Sequence, residues 1–365
     1  MKNKTNPQNY HDYLNLESLL SCQKLLSEEV GERAHDEMLF IITHQVYELW
    51  FKQILFELDS IFKVFDRDKI DESHIGVVVG RLERINEIQQ LLIDQIKILE
   101  TMTPMDFLNF RDLLTPASGF QSAQFRLIEN KFGLKNINRH GYGGVDYKSK
   151  IDKRETELVQ ESEQSLSLFD LIEQWLERTP FLVFDEFDFW DQYRVAVQRM
   201  ITKDKNIIKM NEKLPKDEKE NYLKQYKSTE KMFMSFFDEE IFSKRLESGE
   251  NRLSYKATHA ALLILLYRDQ PILHNPYRLL SKLIDLDELL TTWRYKHYLL
   301  ATRMIGRKIG TGGSVGASYL KKATSKHRIF DDLTSLTTFL IPRSDLPDLP
   351  KKVLKSLSFY YESKG

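Results

Sequence analysis

The stretch AHDEMLFIITHQVYELWFKQILFELDS, residues 34–60, decides how this chain folds. It holds no Gly and no Pro, and it opens on Asp36 and Glu37, where a helix N-terminus favours negative charge. As a helix it spans roughly 40 Å at about 1.5 Å per residue. Phe40, His44, Tyr47, Phe51, Ile54 or Leu55, and Leu58 follow at three- or four-residue steps, so they share one face. Leu39, Ile42, Val46, Trp50 and Phe56 make much of the remaining surface apolar. A helix apolar nearly all round is expected inside a large core. His44 then stands as an imidazole in mid-helix, one turn after Phe40. It reads either as a buried histidine satisfied by a nearby partner or as a pocket residue facing a ligand or metal.

Composition narrows the class. The chain has 365 residues, a length that would accommodate about two domains. Charged residues make up 29% and the formal net charge is -1, so nothing electrostatic points to nucleic acid or a membrane surface. Gly (15) and Pro (10) are scarce among long Leu-, Glu- and Lys-rich segments, which favours helix. The one cysteine, Cys22, excludes an intrachain disulfide framework and suits a reducing compartment. The first residues lack the apolar core of a signal peptide, and no uncharged apolar run is long enough to span a bilayer. The expected location is cytoplasmic.

Along the chain, residues 10–30 read as one helix ended by Gly31, with Tyr10, Tyr13, Leu14 and Leu19 on its apolar side. Residues 71–102 form another long periodic helix. Thr103-Pro104-Met105-Asp106 is a helix start, with Thr as cap and Asp three residues on. The short helix that follows carries Phe107, Phe110 and Arg111 and runs into the turn cluster 115–119. Helix resumes over 120–132, and residues 136–147 are a polar, glycine-bearing loop. Further helices are predicted over 150–177, 185–202, 254–267, 285–305 and 328–341. The Lys/Glu-rich run 203–231 reads as a solvated helical hairpin, part of an excursion near 203–250. No fixed-period repeat and no βαβ alternation is present, so the fold class is all-α.

Among the histidines, only His44, His259 and His297 lie in strongly apolar helical surroundings. His259 falls inside a continuous apolar run and reads as packing. His297 has Trp293, Leu300 and Met304 on its face, a floor suited to a flat hydrophobic cofactor or to plain core. Zinc patterns of the CxxC or HExxH type are absent, and one ExxH beside Gly31 is too little for a di-iron site. Arg111 is the best candidate for a buried cation: its fork suits a carboxylate, or a structural ion pair. The glycine-rich IGTGGSVG at 309–316 allows successive N–H groups to converge on an anion, with Thr311 the hydroxyl best placed to face inward.

Three long segments carry a resemblance: FIITHQVYELWFKQILFELDS from Phe40, NFRDLLTPASGFQSAQFRLIENKFG from Asn109 and WRYKHYLLATRMIGRKIGTGGSVG from Trp293. In this order they resemble the tryptophan 2,3-dioxygenase family, over nearly the full chain. The resemblance implies one all-α haem-dioxygenase domain over 1–365, long core helices around a pocket for haem b and its iron, and a homotetramer built as a dimer of dimers. It implies that L-tryptophan and dioxygen are converted to N-formyl-L-kynurenine. By matching positions, His297 would be the haem iron ligand and His44 the distal, catalytic histidine that bonds the indole N–H. Phe40 would pack on the indole, Arg111 would pair with the substrate carboxylate, Thr311 would bind its ammonium and carboxylate end, and Ser118 would sit in the pocket near the haem. Tyr10, Tyr13 and Leu14 would complete the substrate pocket of a neighbouring subunit. Two departures are local: Phe107 stands where some relatives have Tyr, and the glycine loop ends Ser314-Val315-Gly316 where Ser-Ser-Gly is common. The rival readings are an indoleamine dioxygenase of broader range, a non-catalytic helical haem-binding or sensor protein, and a helical module that binds anions on the glycine loop.

Overall fold

The computed structural model describes residues 9–65, 70, 72–134, 147–179, 183–184, 187–306, 308, 310–311, 320–321, 324 and 327–357. In chain order the helices are α1 (Tyr10–Leu14), α2 (Leu16–Leu20), α3 (Leu26–Glu29), α4 (Asp36–Phe65), α5 (Glu72–Leu99), α6 (Pro104–Arg111), α7 (Ala123–Phe132), α8 (Lys153–Gln164) and α9 (Leu168–Glu177). They continue with α10 (Phe189–Met210), α11 (Lys216–Phe236), α12 (Glu239–Glu247), α13 (Tyr255–Leu266), α14 (His274–Ile305), α15 (Asp331–Ser335) and α16 (Lys351–Leu357). The all-α reading holds. The β structure among the described residues is one antiparallel ladder, two residues a side, pairing Val183 with Asp188 and Phe184 with Phe187.

Three long helices, α4, α5 and α14, make the frame, and α5 packs along both of the others. Their facing sides carry the apolar periodicity that the sequence displays. Ile75, Val78, Val79, Leu82 and Ile85 of α5 and Leu279, Leu280, Leu283 and Leu286 of α14 are almost wholly buried. A continuous cluster of buried apolar residues runs from Tyr47 on α4 to Leu357 on α16.

Helix ends follow their local chemistry. Thr103 and Asp106 close the expected capping box on α6: the Asp106 N–H donates to Thr103 Oγ1 at 3.2 Å, and the Thr103 N–H donates to Asp106 Oδ2 at 3.1 Å. Gly133 ends α7 at φ 116°, and a Cβ there would lie 2.6 Å from Phe169 Cβ, so neither backbone nor packing tolerates a side chain. Glu37 does more than complement a helix N-terminus. Fully buried, its carboxylate accepts the Leu26 N–H at 2.8 Å and the Ser27 N–H at 3.0 Å, tying the start of α3 to that of α4.

Several boundaries differ from the sequence reading. The helix expected over 10–30 is three short ones, because Asn15 takes a left-handed conformation (φ 49°) between α1 and α2 and residues 22–25 leave the helix. Asn tolerates that region better than other non-glycine residues. Neither α1 nor α2 buries a residue, and Tyr10 and Tyr13 are 75% and 74% exposed. The helix expected over 150–177 breaks at Ser167, whose own capping box with Asp170 starts α9. The one expected over 328–341 is α15 followed by a 3-10 turn over Leu336–Phe339. α14 begins eleven residues earlier than expected, at His274. The 203–231 hairpin is present as the end of α10 and α11, joined by a turn at 211–215, with Lys205 paired to Glu230 across it. α4 is not buried all round: Ile42, Leu49 and Phe56, at seven-residue steps, are 43%, 51% and 69% exposed. The polar loop expected at 136–147 falls outside the described residues except at Tyr147.

His259 is core, as expected. Its Nδ1 donates to the Tyr255 carbonyl at 2.7 Å, and its ring lies 4.0 to 4.6 Å from those of Tyr255, Trp190 and Phe236. Burial pushes its pKa from 6.5 down to about 4. Between those values the unfolded chain binds more protons than the folded one. The stability tied to His259 is therefore complete above pH 6.5 and lost as pH falls toward 4. At about 1.4 kcal/mol per unit, that share is on the order of 3 kcal/mol. A His259→Leu variant should flatten the decline in urea-unfolding midpoint between pH 6.5 and 4. An acid limb as steep as that of the unaltered chain contradicts this.

Candidate active site

A cavity of about 280 Å³ opens between α4, α6, α7 and α14. A neighbouring cavity measures about 20 Å³, so the first is of a different order. α4 presents Phe40, His44, Tyr47, Glu48 and Phe51 to it. α14 presents Trp293, Arg294, His297, Leu300, Ala301, Met304 and Ile305. Five of these α14 residues, Trp293, His297, Leu300, Ala301 and Met304, repeat the spacing of the α4 set, each lying 253 positions after its counterpart. Each set is one helical stripe. The two stripes face one another with an imidazole at the same place on each.

Both imidazoles are held neutral. His44 Nδ1 lies 2.7 Å from the Phe40 carbonyl oxygen. A carbonyl can only accept, so Nδ1 carries the proton and Nε2 keeps a lone pair. Burial lowers the His44 pKa, and the Phe40 carbonyl and the Glu48 carboxylate oppose that shift without reversing it. His44 is exposed toward the cavity whose wall it forms. Burial pushes the His297 pKa down to about 4, and repulsion from His44 across the cavity adds to the shift. Among the described residues the His297 ring makes no hydrogen bond. Its ring lies 5.2 Å from that of Trp293, tilted 30°.

The wall beside His44 is aromatic. The Phe40 ring lies 4.1 Å from the His44 ring, 5.7 Å from Phe107 and 5.6 Å from Phe110. Phe107 brings no hydroxyl, so this side is apolar. Ser118 lines the cavity as the cap of a 3-10 turn, where its Oγ accepts the Phe120 N–H at 3.4 Å.

The expected site residues therefore divide. Phe40, His44, Ser118 and His297 meet around one cavity. Arg111 does not line it. It ends α6, its side chain is 16% exposed, and its Nη1 lies 3.4 Å from Asp112 Oδ1. Thr311 is half-buried in a turn and does not line the cavity either, and the loop after it, 312–316, falls outside the described residues. Tyr10, Tyr13 and Leu14 are exposed on α1 and lie outside the cavity wall.

Sequence reasoning missed a buried ionic cluster in the same wall. Glu129 accepts from Arg126 at 2.7 Å and from Arg294 at 2.8 Å, and Arg294 also donates to the His327 carbonyl at 2.8 Å. All three charged side chains are at most 6% exposed. The cluster ties α7 to α14 at the cavity edge. The available signal was the spacing of Arg126 and Glu129, one turn apart on an otherwise aromatic helix face. Glu48, also missed, accepts from the Gln124 side-chain amide at 2.8 Å.

Comparison with known proteins gives this geometry a family. The sequence pattern described as tryptophan 2,3-dioxygenase matches residues 1–340. The chain is 53% identical to the tryptophan 2,3-dioxygenase of Bdellovibrio bacteriovorus over 356 residues, covering 97% of this chain and 99% of that one. It is 48% identical to that of Dictyostelium discoideum, over 96% of this chain and 88% of the relative. It is 45% identical to that of Xenopus tropicalis, over 95% and 86%. Matches of this depth over nearly the whole length, on a chain whose cavity faces two neutral imidazoles, place it in the tryptophan 2,3-dioxygenase family.

Proposed function

We propose that this chain opens the indole ring of L-tryptophan with dioxygen at a ferrous haem b, giving N-formyl-L-kynurenine, the first step in breaking tryptophan down to kynurenine. The observation that carries the reading is the pairing of His44 and His297 on matched stripes of α4 and α14 across one apolar cavity. The relatives named above favour this activity over a broad-range indoleamine dioxygenase or a non-catalytic haem sensor.

The residues present fit a haem. Among the described residues no three His, Cys, Asp or Glu side chains converge, so there is no cage for a bare ion. A single neutral imidazole suits an iron whose porphyrin already supplies most of its ligands. His297 would hold that iron, and Trp293, Leu300 and Met304 would form the apolar floor. When bound, the haem supplies the dioxygen chemistry, in which both oxygen atoms enter the product as the indole C2–C3 bond breaks.

The protein's part is to bind, orient and exclude water. His44 keeps its Nε2 lone pair because burial holds it neutral, so it accepts a hydrogen bond from the indole N–H. It orients the ring and need not remove the proton. Phe40 and Phe107 pack the indole in apolar surroundings, with Ser118 at the edge. Arg111, through its guanidinium fork, takes the substrate carboxylate, and Thr311 takes the ammonium and carboxylate end. These two roles rest on the resemblance of their motifs.

The working form proposed is a cytoplasmic homotetramer, a dimer of dimers in which each chain is one domain over 1–365. The exposed apolar row Ile42, Leu49 and Phe56 and the exposed rings of Tyr10 and Tyr13 support an assembly that covers them, with Tyr10, Tyr13 and Leu14 completing a neighbour's pocket. The continuous core cluster supports one domain. Among the described residues no helix is long and apolar enough to cross a membrane.

The test is turnover of L-tryptophan by the reduced, haem-loaded protein, followed at the absorbance of formylkynurenine; faster turnover of D-tryptophan or tryptamine would favour the broad-range rival. In that assay Arg111→Ala should raise KM for tryptophan about 10- to 100-fold, the scale of a lost charge-assisted hydrogen bond. An Arg111→Ala enzyme with unchanged KM and rate removes that residue from the substrate's carboxylate. His44→Ala should lower kcat/KM about tenfold, the upper range for one neutral hydrogen bond. A haem-bound His44→Ala protein with no turnover contradicts a purely orienting role.

A further inference from the structure

The cavity of about 20 Å³ lies directly behind the wall of the large one. Phe51, Phe125 and Trp293 border both cavities, so these three rings form the partition between them. The rest of the small cavity is aliphatic with one exception, Gln89 of α5. Gln89 is 4% exposed, and its Oε1 is buried without a hydrogen bond to any described residue. Trp293 Nε1, on the opposite helix, is buried in the same condition. The indole N–H interacts with the Tyr47 hydroxyl and counters part of the rise that burial gives its pKa, without the geometry of a full hydrogen bond, and that hydroxyl donates to the Leu92 carbonyl at 2.5 Å.

A buried polar group left unpaired is costly, and here the two residues that carry such groups, one a donor and one an acceptor, line the same space. A water molecule needs roughly 10–15 Å³ and two to four polar partners. The cavity therefore has room for about one water between two residues that carry unpaired polar groups. Its polar pair distinguishes it from an all-apolar void, which stays dry and takes up xenon or a similar gas.

We infer that one internal water occupies this cavity, accepting the Trp293 indole N–H and donating to Gln89 Oε1, and that Gln89 is a positioning residue for His297. The link is the indole. Trp293 lies one helical turn before His297, with the rings 5.2 Å apart. The water fixes the rotation of the indole about its side-chain bonds, and the indole fixes one side of the imidazole. An outer-shell contact of this kind tunes a ligating histidine without touching it. The water site stands on geometry alone; its effect on a bound haem rests on the function proposed above.

The test uses the full-length protein with Gln89→Leu, Gln89→Glu and Trp293→Phe. Trp293→Phe identifies the N–H signal of Trp293 in ultraviolet resonance Raman spectra of the haem-free protein. That signal should have the frequency of a hydrogen-bonded indole, should move to the unbonded frequency in Gln89→Leu, and should be restored in Gln89→Glu. Crystals of the unaltered protein should have one water peak between Gln89 and Trp293. A dry cavity that fills with xenon, or an unbonded Trp293 N–H in the unaltered protein, overturns the water site even if Gln89→Leu fails to fold. In the haem-loaded protein, Gln89→Leu should speed haem dissociation by up to about tenfold, the low edge of outer-shell effects. An unchanged dissociation rate, with the Trp293 signal shifted, overturns the positioning role.

Discussion

The structure depends on facing two imidazoles across one cavity without giving either a charge. His44 and His297 sit on facing stripes of α4 and α14, and burial lowers both pKa values, with the His44 ring further disfavouring protonation of His297. That state is costly to build, because buried polar groups need partners. His44 finds one in the Phe40 carbonyl, which also settles its tautomer. His297 faces a cavity where a metal centre would be its natural partner. The arrangement leaves a lone pair on each side of one apolar space.

The remaining helices keep those two stripes in register. α5 packs along both α4 and α14 with a nearly unbroken aliphatic face, which fixes their separation. The Arg126–Glu129–Arg294 cluster joins α7 to α14 at the cavity edge, where a purely apolar seam would specify neither rotation nor depth. Rigid parts surround the site on these sides. The parts assigned to the amino-acid end of the substrate, Arg111 and the Thr311 turn, belong to a short helix end and a loop.

Much of this was legible in the sequence. Uninterrupted periodicity revealed the long helices, and the capping chemistry of Thr103 marked the start of α6. His44 and His297 stood out because an imidazole on an apolar stripe demands an explanation. Propensity failed where a single residue overrode a pattern: Asn15 breaks the first helix, and Ser167 restarts another inside a run that looked continuous. The exposed row on α4 was hidden because an apolar residue left on the surface and one covered by its own chain look the same in sequence. Glu48, Glu129 and Arg294 were passed over for a related reason. Charged residues on a helix read as surface until the three-dimensional partner appears.

The central claim is that His297 is the one protein ligand to a haem iron lying between itself and His44. It is tested most directly by titrating haem into the haem-free protein and into His297→Ala while following the Soret band. The account predicts a sharp band with one haem bound per chain in the unaltered protein, and loss or gross displacement of that band in the variant. The same Soret band and stoichiometry in both proteins would contradict it.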